Sequence, residues 1–251
     1  MIPGAYFAST SARPGSSFLN ATSTLFDGTD DWVDLGEPAD ITINLAANEI
    51  TMAAWVYCTD LTAHRYVLAK ARPFFPAVNW ILALGSTGNV FGYFGDVAKT
   101  TGGLAGTVVI NTWYHVALTV RNIAGTYTGN IWLNGVKQGS DLTALGTATD
   151  AGTTARIGAG RAGAAAALPY KGNIDEVTFW NVGFTAAELL ELYNAGVPKN
   201  PTTHSRTATL IHWYRMGDGD TYPTVLDKVG VANGTCTNMT SGAVNFVATV
   251  P

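Results

Sequence analysis

The sequence predicts an all-β protein, a two-sheet antiparallel sandwich carrying one short helix on its C-terminal side. Three observations carry that prediction. Short apolar runs rich in β-branched and aromatic residues recur about every 10–15 residues, as in sandwich folds. Of the 251 residues, 13% are charged, about half the usual share, while 47% are hydrophobic. Twenty-eight glycines against ten prolines separate the runs with turn chemistry rather than with breaks in the chain.

The elements follow in order. Residues 1–21 mix Gly, Pro and Ser with scattered aromatics and read as an irregular arm. Strand-like runs follow at 32–35 (WVDL), 50–58 (ITMAAWVYC), 65–70 (RYVLAK), 79–84 (NWILAL) and 90–95 (VFGYFG). They continue at 104–110 (LAGTVVI), 113–121 (WYHVALTVR) and 130–134 (NIWLN). In 113–121, Tyr114, Val116, Leu118 and Val120 alternate with Trp113, His115, Ala117 and Thr119. Both faces are largely apolar, so this strand is expected between two covered layers. Asn134-Gly135 marks a two-residue hairpin, because both central positions of a type I′ turn need positive φ. The stretch 139–168 is loop-rich, and its alanine run 164–167 could open a helix or lie in a packed loop. A strand resumes at 171–181. Thr185 and Glu188 then give the capping-box spacing, with Leu189, Leu192 and Tyr193 as the apolar stripe and Gly196 as its stop. The runs 209–216 and 224–229 return to strand character, as an extension of the same body.

Composition excludes several classes. A net charge of −4 lacks the basic footprint of nucleic-acid binding. No apolar stretch approaches the ~18–20 residues of a membrane-spanning helix. Cys58 and Cys236 are too few for a disulfide framework or a zinc site, and free thiols are expected, although one bridge stays open. The N-terminal MIPGAYFASTSARPGSSF has neither a basic nor an apolar leader region, so no secretion signal is expected.

The segments LFDGTDDWVDLG, AAWVYCTD, NTWYHVALTV, IWLNGVKQGS and GNIDEVTFWN, followed by the helix TAAELLELYNAG, resemble concanavalin A-like jelly rolls of the laminin-G-like type. The resemblance implies a jelly roll over residues 22–197, an arm at 1–21 and an extension at 198–251. It hosts lectins, adhesion modules and glycoside hydrolases alike, so the fold does not settle the function. The extension, HWYRMGDGDTYPTVLDKVG at 212–230 and NGTCTNMTSG at 233–242, resembles segments attached to such domains in tailed-phage structural proteins.

Glycoside hydrolysis needs two carboxylates converging on one bond. The E-x-D-x-x-E strand of laminarinase-like relatives is missing, and Asp175 and Glu176, being adjacent, should point to opposite faces of a strand. No enzyme activity is expected. The resemblance places a structural calcium at the sheet rim, with Asp27, Asp30, Asp31 and Asp175 as carboxylate donors; the alternative is that these aspartates bond local amides in turns. His115 is expected to be packed rather than catalytic. Arg72, Phe74 and Phe75, set between prolines, offer an interface anchor for a ligand or partner, or else cap the sandwich edge.

These readings point to a non-enzymatic virion component of a tailed phage, either a head decoration or an adhesin-like appendage. Its partners would be other virion proteins or copies of itself in a homo-oligomer, with cell-surface glycans as a further ligand class. It would be assembled in the host cytoplasm. The alternative is a free, calcium-dependent carbohydrate-binding lectin; a polysaccharide hydrolase ranks below both.

Overall fold

A computed structural model describes residues 18–42, 44, 48–71, 78–95, 100–102, 106–143, 145, 153–162 and 165–251. The strands in chain order begin with β1 (Ser23–Asp27), β2 (Trp32–Asp34), β3 (Ile50–Cys58), β4 (Arg65–Ala71), β5 (Val78–Leu84), β6 (Val90–Phe94) and β7 (Thr100–Gly102). The hairpin strands β8 (Trp113–Ile123), β9 (Thr126–Leu133) and β10 (Val136–Leu142) come next. Then follow β11 (Arg156–Ile157), β12 (Gly160–Ala162), β13 (Ala165–Ala167) and β14 (Lys171–Trp180), and the helix α1 (Ala186–Tyr193). The last stretch contributes β15 (Leu210–Tyr214), β16 (Thr224–Val225), β17 (Gly234–Thr237), the single turn α2 (Gly242–Asn245) and β18 (Phe246–Val247).

They form an all-β, two-sheet antiparallel sandwich. One sheet runs β10-β9-β8-β3-β14-β1-β18, with β15 also on β14; the other runs β16-β17-β2-β11-β4-β5-β6-β7. Strands from the C-terminal stretch thus sit in both sheets: β18 pairs β1, and β17 pairs β2. The main core lies between the layers, where Val56, Trp80, Leu82, Val116, Leu118, Ile131, Ile174 and Phe179 are buried. A second cluster covers the outer face of the first sheet, where Leu189 and Leu192 of α1 pack with Ala53, Ala117, Trp132, Trp180 and Phe184. Strand β8 is therefore covered on both faces, as its doubly apolar pattern requires.

Local signals explain the best-formed pieces. Thr185 caps α1 with the reciprocal Glu188 bond, satisfying two otherwise orphan amides. Asn134 (φ 51°) and Gly135 (φ 74°) make the β9–β10 turn. Four expectations need correction. Around 104–110, the described residues 106–110 form a turn instead of a strand: Val108 donates to Gly88 O, which ties the backbone to a loop. The 224–229 run keeps only two strand residues, because the Asp227 carboxylate accepts from the amides of Trp213, Val229, Gly230 and Ala232 and curls the chain around itself. Helix α1 stops at Asn194 and Ala195, both left-handed (φ 50° and 54°), before Gly196. The alanine run is neither helix nor plain loop: Ala165–Ala167 pairs Gly160–Ala162 as a short hairpin. Cys58 and Cys236 are buried free thiols, as expected.

Candidate metal and ligand site

Strand β1 ends at Asp27 opposite Lys171 of β14, and the chain turns sharply into β2. Gly28 (φ +80°) is needed there, since a Cβ would meet Lys171 Cβ at 2.6 Å. The Asp27 carboxylate organises the turn, Oδ1 accepting from the amides of Thr29 (2.7 Å) and Asp30 (3.3 Å). Asp31 closes it, Oδ2 accepting from the Asp27 amide at 3.0 Å. The Asn238 side chain braces the turn by donating to Asp30 O.

The turn gathers oxygen ligands at one point. Carboxylate oxygens of Asp27, Asp30 and Asp31 lie within 4.8 Å of one another, the first two exposed and the third buried. Burial, opposed by the Asp27 amide and helped by the charges of Asp27 and Asp30, pushes the Asp31 carboxyl up to about 6. Three like charges so placed repel one another, and a cation relieves that repulsion. An oxygen-only donor set suits a hard ion of the calcium or magnesium kind. The group can coordinate a metal ion. Beside it opens a cavity of about 270 Å³ lined by Asp27, Asp31, Thr59, Lys171, Asn238 and Thr240, among others.

Asp175 does not join this cluster. It lies four residues along β14 from Lys171, roughly 13 Å at ~3.3 Å per residue, and is fully buried. Its Oδ2 accepts from Asn20 Nδ2 (2.8 Å) and its Oδ1 from the Glu176 amide (2.9 Å). Arg72, Phe74 and Phe75, the expected interface anchor, lie outside the described residues, as do residues 1–17 of the arm. His115 is packed against the rings of Trp55 (5.2 Å) and Tyr193 (6.2 Å), which also touch each other, and burial pushes its imidazole down to about 3. A neutral, enclosed ring of this kind is architecture.

The Asp175–Glu176 pair departs from strict alternation. A bulge sets two β14 residues against one on β3 between Asp175 and Thr178, and Glu176 takes φ +46°. Ile174 and Val177 face the core, so Asp175 and Glu176 share the outer face. Glu176 accepts from Trp213 Nε1 (2.5 Å) and Arg215 Nε (3.1 Å). Burial pushes Glu176 up to about 7 despite Arg215, and burial together with the Glu176 charge raises Asp175. The sequence signal was the spacing of Ile174, Val177 and Phe179, a step of three before the step of two. Both carboxyls are held by protein partners, as a structural pair would be.

Residues 27–190, more than half of the chain, match the family model described as the concanavalin A-like lectin/glucanases superfamily. No curated protein sequence matches the chain. Among solved structures, a candidate carbohydrate-binding protein from Bacteroides ovatus is similar at 20% identity and a TM-score of 0.64. The match covers 88% of this chain but 59% of that one, so the chain spans little more than half of that protein. The CBM40 of the Ruminococcus gnavus IT-sialidase, bound to α2,3-sialyllactose, is similar at 14% identity and a TM-score of 0.54, over 68% of this chain and 96% of that one. A heptameric SAP-like pentraxin from Limulus polyphemus is similar at 12% identity and a TM-score of 0.53, over 69% and 82%. Likeness at these identities establishes a shared lectin-type jelly roll.

Proposed function

The chain belongs to the concanavalin A-like lectin/glucanase superfamily, and from that premise we propose that it is a non-catalytic, lectin-like module that binds carbohydrate with calcium held at the β1–β2 turn. The observation that carries this reading is the convergence of three aspartate carboxylates beside a cavity lined with amide, hydroxyl and ammonium groups. Asp27, Asp30 and Asp31 would hold the ion, which would neutralise their mutual repulsion and stiffen the turn. Lys171, Asn238, Thr59 and Thr240 would then exchange hydrogen bonds with sugar hydroxyls at the cavity wall. The similar proteins from Bacteroides and Ruminococcus support carbohydrate as the ligand class.

A glycan array run with calcium and again with a chelator tests the reading. A chelator-sensitive set of glycans, lost in Asp31→Asn, is the expected result. Calcium-loaded protein that binds no glycan, or binding at this turn that ignores both chelator and Asp31→Asn, would overturn it.

The second reading, an accessory protein of a tailed-phage virion, has the resemblance of residues 212–242 in its favour. It would place the chain in virions as a homo-oligomer contacting other virion proteins. Mass spectrometry of purified virions that finds no such chain would sink it.

A further inference from the structure

One edge of β14 is shared by two strands. Residues Lys171–Ile174 pair with β1, and Val177–Trp180 pair with β15, the change falling at the Asp175–Glu176 bulge. The chain entering β1 and the chain leaving β15 meet there, and a cleft of about 570 Å³ opens beside them, lined by residues of both. That volume falls within the ~300–1,000 Å³ typical of small-molecule sites. Phe18, Asn200, Trp213, Arg215, Asp218 and Lys228 are its chemical groups. All of them lie outside residues 27–190, the span that matches the family.

Its walls are fixed before any ligand arrives. The Arg215 guanidinium lies 4.7 Å from the Phe18 ring and 5.5 Å from the Trp213 ring. Arg215 also donates to Glu176, to Asp218 (2.7 Å) and to Leu19 O (2.6 Å). Asp218 is held again by the Ala21 amide (3.0 Å) and the Thr22 hydroxyl (2.7 Å). Lys228 is matched by Asp220 at 3.2 Å, and Asn200 Oδ1 is occupied by Thr202.

The pairing decides the ligand class. Each cation already faces a carboxylate, so the cleft has little surplus charge with which to draw in an ion. It retains a half-buried ring at Phe18, the aliphatic Leu19 (70% exposed), and charged and amide groups able to exchange hydrogen bonds with hydroxyls. Such a surface suits a neutral sugar, whose C–H face rests on a ring while its hydroxyls meet polar groups at the edge. We infer that this cleft is a second carbohydrate site, selective for neutral saccharides and independent of metal. It lies at the opposite end of β1 from the aspartate turn.

The test is titration calorimetry of the full chain in excess chelator. The probes are neutral gluco-, galacto-, manno- and xylo-oligosaccharides, set against uronate and sialylated oligosaccharides. Chelator-resistant binding of a neutral probe is expected, weakened at least tenfold by Phe18→Ala, restored by Phe18→Tyr, weakened by Asn200→Ala, and unchanged in Asp31→Asn. Circular dichroism confirms that each variant is folded. No neutral binding up to millimolar concentration in chelator, binding indifferent to Phe18→Ala and Asn200→Ala, or a preference for anionic sugars would each overturn the inference. Loss of calcium-dependent binding alone would sink the reading of the aspartate turn and leave this one standing.

Discussion

His212 is held between two carboxylates, Nδ1 with Asp227 at 2.6 Å and Nε2 with Asp40 at 3.0 Å. Burial would lower its pKa, but the hydrogen bonds and charges of the two aspartates outweigh burial and raise it. A raised folded pKa means stability that is complete below the ordinary histidine value of about 6.5 and is lost as pH rises through the folded value. The Tm advantage of the native chain over His212→Asn should therefore be largest near pH 5.5 and shrink on the alkaline side; an advantage that grows with pH would contradict the clamp. Asp31 acts in a lower window. Its carboxyl, up to about 6, favours the metal-free fold below the ordinary value of about 4 and loses that contribution as pH rises to 6. Metal-free Asp31→Asn should thus match or exceed native stability at pH 7 while binding calcium at least tenfold more weakly, as calorimetry would read. His115 has the opposite sign, since a value near 3 means stability lost as pH falls below about 6.5. The thiols make a simpler prediction. Cys58 and Cys236 are buried, and burial pushes Cys236 up to about 12, so thiol reagents should titrate two groups only after unfolding.

Helix α1 and the β9–β10 hairpin depend on each other. A Cβ at Gly135 would come within 2.7 Å of Leu190 Cδ2 and 3.2 Å of its Cα, so the turn needs glycine both for its positive φ and for the helix passing over it. Gly135→Ala should cost more than ~1 kcal/mol, and Thr185→Ala about 1 kcal/mol through loss of the cap, both measurable by denaturant unfolding. These elements were legible in the sequence because their signals are local: T-x-x-E, Asn-Gly, and the unbroken apolar run Ile50–Cys58. The aspartate turn was legible for the same reason, since Asp27, Asp30 and Asp31 are near neighbours. Other features were hidden because they depend on distant pairing. Asn20 and Asp175 meet across 155 positions, and no window of sequence announces that contact. Nor does a window show that β14 divides one edge between β1 and β15, which is what opens the larger cleft. The family resemblance made Asp175 a rim ligand; its place beyond the core-facing Ile174 put it in a buried pair instead.

At the scale of the whole molecule, the family fold and the C-terminal stretch share both sheets. Removing residues 198–251 would strip β15 and β18 from one sheet and β16 and β17 from the other. It would leave β1 and β2 as open edges, the kind of template on which sheets aggregate. A chain cut at 197 should therefore be recovered largely insoluble or as oligomers by size exclusion, whereas the full chain elutes as one discrete species; a soluble, folded 1–197 would show that the extension is dispensable.

The same arrangement sets an order in time. Strand β1 pairs with β14 and β18, and β2 with β11 and β17, all of them far along the chain from the strands they join. Contacts so far apart in the chain place folding in the slow, high-contact-order regime. The β8–β9–β10 meander can assemble from its own neighbours, whereas the flank carrying β1 and β2 is complete only when β14 and β18, and β11 and β17, have joined it. A chain in which only the meander has formed thus presents that open flank as its surface most exposed to misassociation.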